Sequence, residues 1–325
     1  SQNWNGSFTF TGTNDLNMGT GNVTMNASRT VTVNAGNFTV GGVISGSTFG
    51  LTKNGSGTMI LTGANTYNGT TTINAGTLQI GNNSTGSIAS PTVVNNADLV
   101  YRMSGGAITA PTTITGTGNL TMQAGSTIVI GSGNITLGGN VVISTGTGGG
   151  NGLRFDNISR SITAASINIT GQIGEQNASQ GNQKLTLDTS AYNGDIYLNV
   201  QNGSAGNLYG TAIWANAGTG NITIAGSNAA TAGWGGTLGT NLTGALNISS
   251  SFAVNALTIN STGNSSITGN LTLTTNSTNP WTVSPNRTMT VSGILAGNNA
   301  SITKNGTGTL ILSGVNTYDG TTTIN

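Results

Sequence analysis

The chain has 325 residues, of which 53 are Gly, 34% are hydrophobic and only 5% are charged, against about 25% charged in an ordinary globular domain. Eight basic and seven acidic groups leave a net charge of +1, which excludes an electrostatic footprint for nucleic acid or anionic lipid. No Cys and no His occur, so disulfides, thiolate metal sites and cysteine nucleophiles are excluded together, as suits an exported bacterial chain.

From the N-terminus the apolar residues arrive as short alternating triplets with Gly or Asn between them. Phe8-Thr9-Phe10, Leu16-Asn17-Met18, Val23-Thr24-Met25, Val31-Thr32-Val33 and Phe38-Thr39-Val40 open the series. Leu120-Thr121-Met122, Ile128-Val129-Ile130, Ile135-Thr136-Leu137 and Val141-Val142-Ile143 continue it. Leu185-Thr186-Leu187, Ile222-Thr223-Ile224, Leu257-Thr258-Ile259, Leu271-Thr272-Leu273 and Met289-Thr290-Val291 carry it on. Period-two alternation with β-branched residues predicts strands, and strands this short must stack on copies of themselves.

Three such strands make a coil of roughly 20–24 residues, the unit of a right-handed parallel β-helix with apolar residues inward and Thr, Asn or Ser outward. Gly and Asn suit the corners because both accept the left-handed backbone conformation. The competing architecture is an antiparallel sandwich or barrel, disfavoured because the triplets never lengthen. Pro91, Pro111, Pro280 and Pro285 are expected where strands are interrupted. Residues 1–325 are expected as one continuous solenoid, with a loop excursion across 146–182 that carries Arg154, Asp156, Arg160 and Glu175.

One segment occurs twice. TKNGSGTMILTGANTYNGTTTIN at residues 52–74 returns as TKNGTGTLILSGVNTYDGTTTIN at 303–325, differing only at Ser56/Thr307, Met59/Leu310, Thr62/Ser313, Ala64/Val315 and Asn68/Asp319. Polarity and approximate size survive four of the five changes, so the stretch needs shape more than chemistry. In its longer form, GLTKNGSGTMILTGANTYNGTTTINAGTLQIG at 50–81, it resembles the autotransporter-associated β-strand repeat, also called the passenger-associated transport repeat. A second copy covers 300–325, and a degenerate third spans 183–203, keeping Leu185, Leu187, Tyr192, Asn193 and Gly194. The resemblance implies a parallel β-helix outside a Gram-negative or related bacterium, where the repeat is thought to aid export by folding outside the cell.

Within the repeat, Met59, Ile60, Leu61, Ile73, Leu78 and Ile80 are expected to face inward. Asn65 and Asn74 are placed for side-chain bonding at corners, and Tyr67 and Tyr318 to cover a core edge with the hydroxyl in water. Thr70-Thr71-Thr72 and Thr321-Thr322-Thr323 read as outward strands. Polysaccharide-cleaving β-helices need paired carboxylates on one face, and the chain has only Asp15, Asp98, Asp156, Glu175, Asp188, Asp195 and Asp319. Asp188 and Asp195 fall about one strand step apart and so on different faces, while Asp156 with Arg154 and Arg160 reads as an exposed ion cluster. No catalytic residue, metal site or cofactor is assigned. Sequons such as Asn22-Val23-Thr24, Asn54-Gly55-Ser56, Asn134-Ile135-Thr136, Asn221-Ile222-Thr223 and Asn305-Gly306-Thr307 arise where a corner Asn precedes a strand, and glycosylation is a minor alternative.

The chain begins SQNWNGS and ends TTTIN, which reads as a piece of something longer. No apolar run is long enough to cross a membrane as a helix. The expected function is a non-enzymatic extracellular scaffold, a surface fibre, matrix filament or adhesive stalk that self-associates end to end through its coils. The alternative is an autotransporter-type adhesin binding host or glycan surfaces, and a polysaccharide lyase or glycoside hydrolase comes third.

Overall fold

The computed structural model describes residues 1–130, 133–146, 152–154, 159–171, 173, 184–200, 212–225, 234–249, 252–273 and 276–325. Among them every regular element is a strand, no helix occurs, and the ladders are parallel. The chain is a β-solenoid, divided into two compact units, Ser1–Gly146 and Thr147–Asn325.

The first unit is built from coils that each contribute a strand to three faces. One face stacks Leu16–Asn17, Asn37–Val40, Thr58–Leu61, Thr77–Ile80, Asp98–Met103, Asn119–Ala124 and Asn140–Ser144. Its register sets Phe38, Met59, Leu78, Leu99, Leu120 and Val141 in one row and Val40, Leu61, Ile80, Tyr101, Met122 and Ile143 in the next. All twelve are at most 2% exposed. A parallel ladder repeats about every 4.8 Å, so like residues stack directly on like, and burial of each row is shared along the stack. The register advances 21 residues at each step from Leu78 to Leu99, Leu120 and Val141, but only 19 from Met59 to Leu78, across the repeat.

The second face runs through Phe8–Phe10, Arg29–Val33, Leu51–Asn54, Thr71–Ile73, Thr92–Asn95, Thr113–Gly116 and Ile135–Leu137. The third is interrupted. Ala64–Asn65 pairs with Ser87–Ile88, and Ile108–Thr109 pairs with Thr127–Val129, but Ser87–Ile88 and Ile108–Thr109 do not join.

In the second unit one ladder carries Ser166–Gly171, Ile196–Val200, Ile222–Ala225, Leu246–Ile248, Ser265–Ile267, Thr288–Val291 and Thr309–Leu312. Its coils are longer at first, stepping 29 residues from Ile167 to Ile196 and 26 from Ile196 to Ile222. The ten-residue strand Phe252–Ser261 turns a corner: Phe252 pairs with Leu271, and Ile259 with Trp281. The ladder therefore branches there and does not close a barrel.

Two corners show why Gly recurs. Gly55 and its counterpart Gly306 hold φ of 81° and 80°, where an L side chain is strained. A Cβ on Gly63 would stand 2.4 Å from the Gly42 oxygen, and one on Gly314 2.2 Å from the Gly293 oxygen. Pro91 and Pro111 lie between strands as expected. Pro280 does not: it sits inside Thr278–Val283 opposite Thr303. Beside it Asn279 Oδ1 accepts from the Leu257 amide (2.7 Å) and Trp281 Nε1 donates to the Leu257 carbonyl (3.1 Å), so side chains complete the rung that a proline weakens.

Candidate functional site

The polar side chains of the repeat coil tie successive coils together. Asn65 is 2% exposed and spans three coils: its Oδ1 accepts from the Ile44 amide (2.8 Å), and its Nδ2 donates to the carbonyls of Gly63 and Ser87 (2.9 Å each). Asn74 is exposed and reaches only Asn54 Oδ1 (2.9 Å), a contact that Asn325 and Asn305 repeat at 2.9 Å. The Asn68/Asp319 difference is explained by shared geometry, because Asn68 Oδ1 accepts from the Thr48 amide and Asp319 Oδ1 from the Asn299 amide. Both amides belong to non-glycine residues held at positive φ.

Three expectations within the repeat change. Tyr67 is fully buried, not wetted at its hydroxyl, which pairs with Thr71 Oγ1 at 3.0 Å; burial raises its pKa above the ordinary tyrosine value. Its counterpart Tyr318, in the last coil, makes the same contact with Thr322 while only half-buried. Thr71 points inward, leaving only Thr70 and Thr72 on the outer side. Ile60 occupies the outer row between Thr39 and Gln79, yet is only 7% exposed; Met59, Leu61, Ile73, Leu78 and Ile80 are inward as expected.

Sequence reasoning missed Lys53. It sits between Val31 and Ile73 in the ladder, with no exposed surface, and its Nζ donates to the carbonyls of Asn54 (3.0 Å), Gly55 (2.8 Å) and Ala75 (3.0 Å). Burial pushes its pKa down to about 8, opposed by the three carbonyls, which favour the ammonium. The available signal was its inward phase after Leu51 and its return as Lys304, which donates to the Gly306 carbonyl.

The carboxylates serve as acceptors for backbone and amide donors. Asp15 takes the Asn37 side chain (2.8 Å) and amide (2.9 Å), which hold its carboxyl below the usual range. Asp98 takes the Asn119 side chain, Asp188 the Ser190 amide and hydroxyl, and Asp195 the Asn221 amide. Asp188 ends one ladder's strand and Asp195 precedes another's, so the two lie on different faces. Among the described residues no three acidic side chains gather as a metal site. Asp156 and Glu175 fall outside the described residues; Arg160 is 4% exposed within Arg160–Thr163, which removes it from an exposed cluster. Three strands, Gly152–Arg154, Arg160–Thr163 and Ser166–Gly171, run through the stretch expected as an excursion. In the degenerate copy Leu185 and Leu187 are buried, but Tyr192 is 49% exposed, so Tyr67's packing is not reproduced.

A cavity of about 280 Å³ lies where the third face of the first unit breaks, lined by residues 86–91, 101, 103 and 107–112. Tyr101 reaches it from the opposite face. The residue is 1% exposed, and its hydroxyl has no hydrogen-bond partner; burial, then the neighbouring Tyr67, raise its pKa.

Parallel coils pinned by buried Asn and Lys define a β-solenoid of repeat type. Residues 51–80 and 302–325 match the family described as the passenger-associated-transport-repeat, and the chain carries this repeat twice. It is similar to an adhesin autotransporter, BmaC, of Brucella suis biovar 1 (strain 1330), at 42% identity over 86 residues, 24% of this chain. The match spans 2% of that relative's length. No solved structure matches the chain. The repeat and the relative mark it as a secreted, cell-surface protein.

Proposed function

We propose that the chain is a non-enzymatic β-solenoid segment of an adhesin, a stiff surface scaffold that carries contacts to host or glycan surfaces. The observation that carries this reading is the use of polar side chains: Asn22, Asn65, Asn221, Asn264 and Asn270, like Asp15 and Asp195, bond a neighbouring coil's backbone. Such groups stabilise a stack; they are not gathered for acid–base chemistry. The Brucella relative, an adhesin, supports the adhesive part. The test is adhesion of bacteria displaying the chain, with Asp156, Glu175, Asp188 and Asp195 all changed to amides. Adhesion is expected to persist; activity on a polysaccharide that disappears in this variant, with the circular dichroism unchanged, would establish a carboxylate-dependent enzyme instead.

A further inference from the structure

The break in the third face leaves two strand edges facing each other across a cavity. In a parallel ladder, alternate residues direct their backbone groups to opposite neighbours. Ser87 and Ala89 bond back to the carbonyls of Gly63 and Asn65 (3.2 and 3.1 Å), so Ile88 directs its own amide and carbonyl toward the following coil. There Ile108–Thr109 pairs only onward, with Thr127–Val129. Pro111, lacking an amide hydrogen, withholds a donor from the same gap.

The lining also constrains what can enter. None of its residues is charged, so an ionic ligand would be desolvated without compensation. Pro91, Met103, Ile108 and Pro111 supply apolar wall. The Ser90 hydroxyl is already engaged with the Thr71 amide and the carbonyls of Gly69 and Thr92. Among the cavity's polar groups, the Tyr101 hydroxyl is buried without a partner. An orphaned buried hydroxyl is unfavourable, and a guest oxygen that accepts from it removes that cost. About 280 Å³ lies at the small end of ligand cavities and suits one ring, not an extended chain.

We propose that this cavity binds one uncharged pyranose unit of a surface glycan, with a ring or hydroxyl oxygen accepting from Tyr101 and a C–H face against Met103 and Ile108. The Tyr101 hydroxyl stays protonated, and so a donor, across the physiological range, because burial raises its pKa. The proposal deepens the adhesin reading and rests on it for the source of the ligand.

The test observes the methyl resonances of Met103 and Ile108 by NMR while the full chain is titrated separately with the methyl glycosides of galactose and glucose and with N-acetylglucosamine. Saturable shifts with at least one sugar are expected. They should weaken about tenfold in Tyr101→Phe, the loss of one hydrogen bond, and vanish in Ala89→Trp, which blocks the exposed rim. Tyr101→Phe removes only the orphaned oxygen, so its melting temperature should not fall. No shift with any of the three sugars, or shifts undiminished in Tyr101→Phe, overturns the site. A Tyr101→Phe variant that melts lower, with no sugar bound by the parent, means the hydroxyl serves an ordered water only and also overturns it. Adhesion measured on the same variants separates the two readings. Sugar binding by a parent that does not adhere sinks the adhesin reading and leaves the site; adhesion without sugar binding does the reverse.

Discussion

Asn65→Ala tests whether buried side-chain amides hold the coils in register. The Ile44 amide it satisfies belongs to a residue with no exposed surface, and on truncation that donor is left without its partner; an unsatisfied buried donor costs about 1–3 kcal/mol. The carbonyls matter less. The Gly63 oxygen still receives the amides of Asn65 and Ser87, and Ser87 is itself exposed, so water replaces the lost bond there. Adding about 1 kcal/mol for these two gives roughly 2–4 kcal/mol. Asn74→Ala, which removes one exposed amide-to-amide contact, should stay within about 0.5 kcal/mol. The assay is amide hydrogen exchange at Ile44, where 2–4 kcal/mol corresponds to exchange faster by roughly 30- to 1,000-fold. Asn316→Ala, whose Oδ1 accepts from the Leu295 amide in a half-buried setting, should fall between the two. Equal effects at Asn65 and Asn74, or acceleration at Ile44 of only about threefold, would refute the three-coil pin.

Lys53 sets a pH dependence: its folded pKa of about 8 lies below the unfolded value of 10.5, so the unfolded state holds more protons between these values and stability should rise with pH from about 8 to 10, a slope that Lys53→Met should remove in urea titrations. Persistence of that slope in the variant would assign it elsewhere. Gly63→Ala should lower the melting temperature sharply because its Cβ meets the Gly42 oxygen at 2.4 Å, whereas Gly6→Ala, with nothing within 4 Å, should not; equal melting contradicts the close coil contact. Leu61→Asp places an unpaired carboxylate in the inner row and should cost several kcal/mol, while Ile60→Thr, beside Thr39 in the outer row, should cost about 1–2. Denaturant midpoints that rank these two in the opposite order would reverse the assignment of faces.

The sequence by itself pointed to the fold class, because strand triplets too short to stand alone bury their apolar residues most readily by stacking on the next coil. Val23, Val31, Leu120, Leu187 and Leu271 are buried where alternation placed them. It also marked the repeat and the separation of Asp188 from Asp195, since both follow from spacing along one chain. Only the tertiary structure decided what depends on the coils above and below. Tyr67 is buried with its hydroxyl on Thr71 because the neighbouring coils close over it. Lys53 is buried because carbonyls from its own corner and from Ala75, 22 residues on, converge on its Nζ. The missing rung between Ser87–Ile88 and Ile108–Thr109, with the Tyr101 hydroxyl beneath it, arises from register between coils. Local alternation carries the direction a side chain faces; what it meets there is set by residues about one coil away.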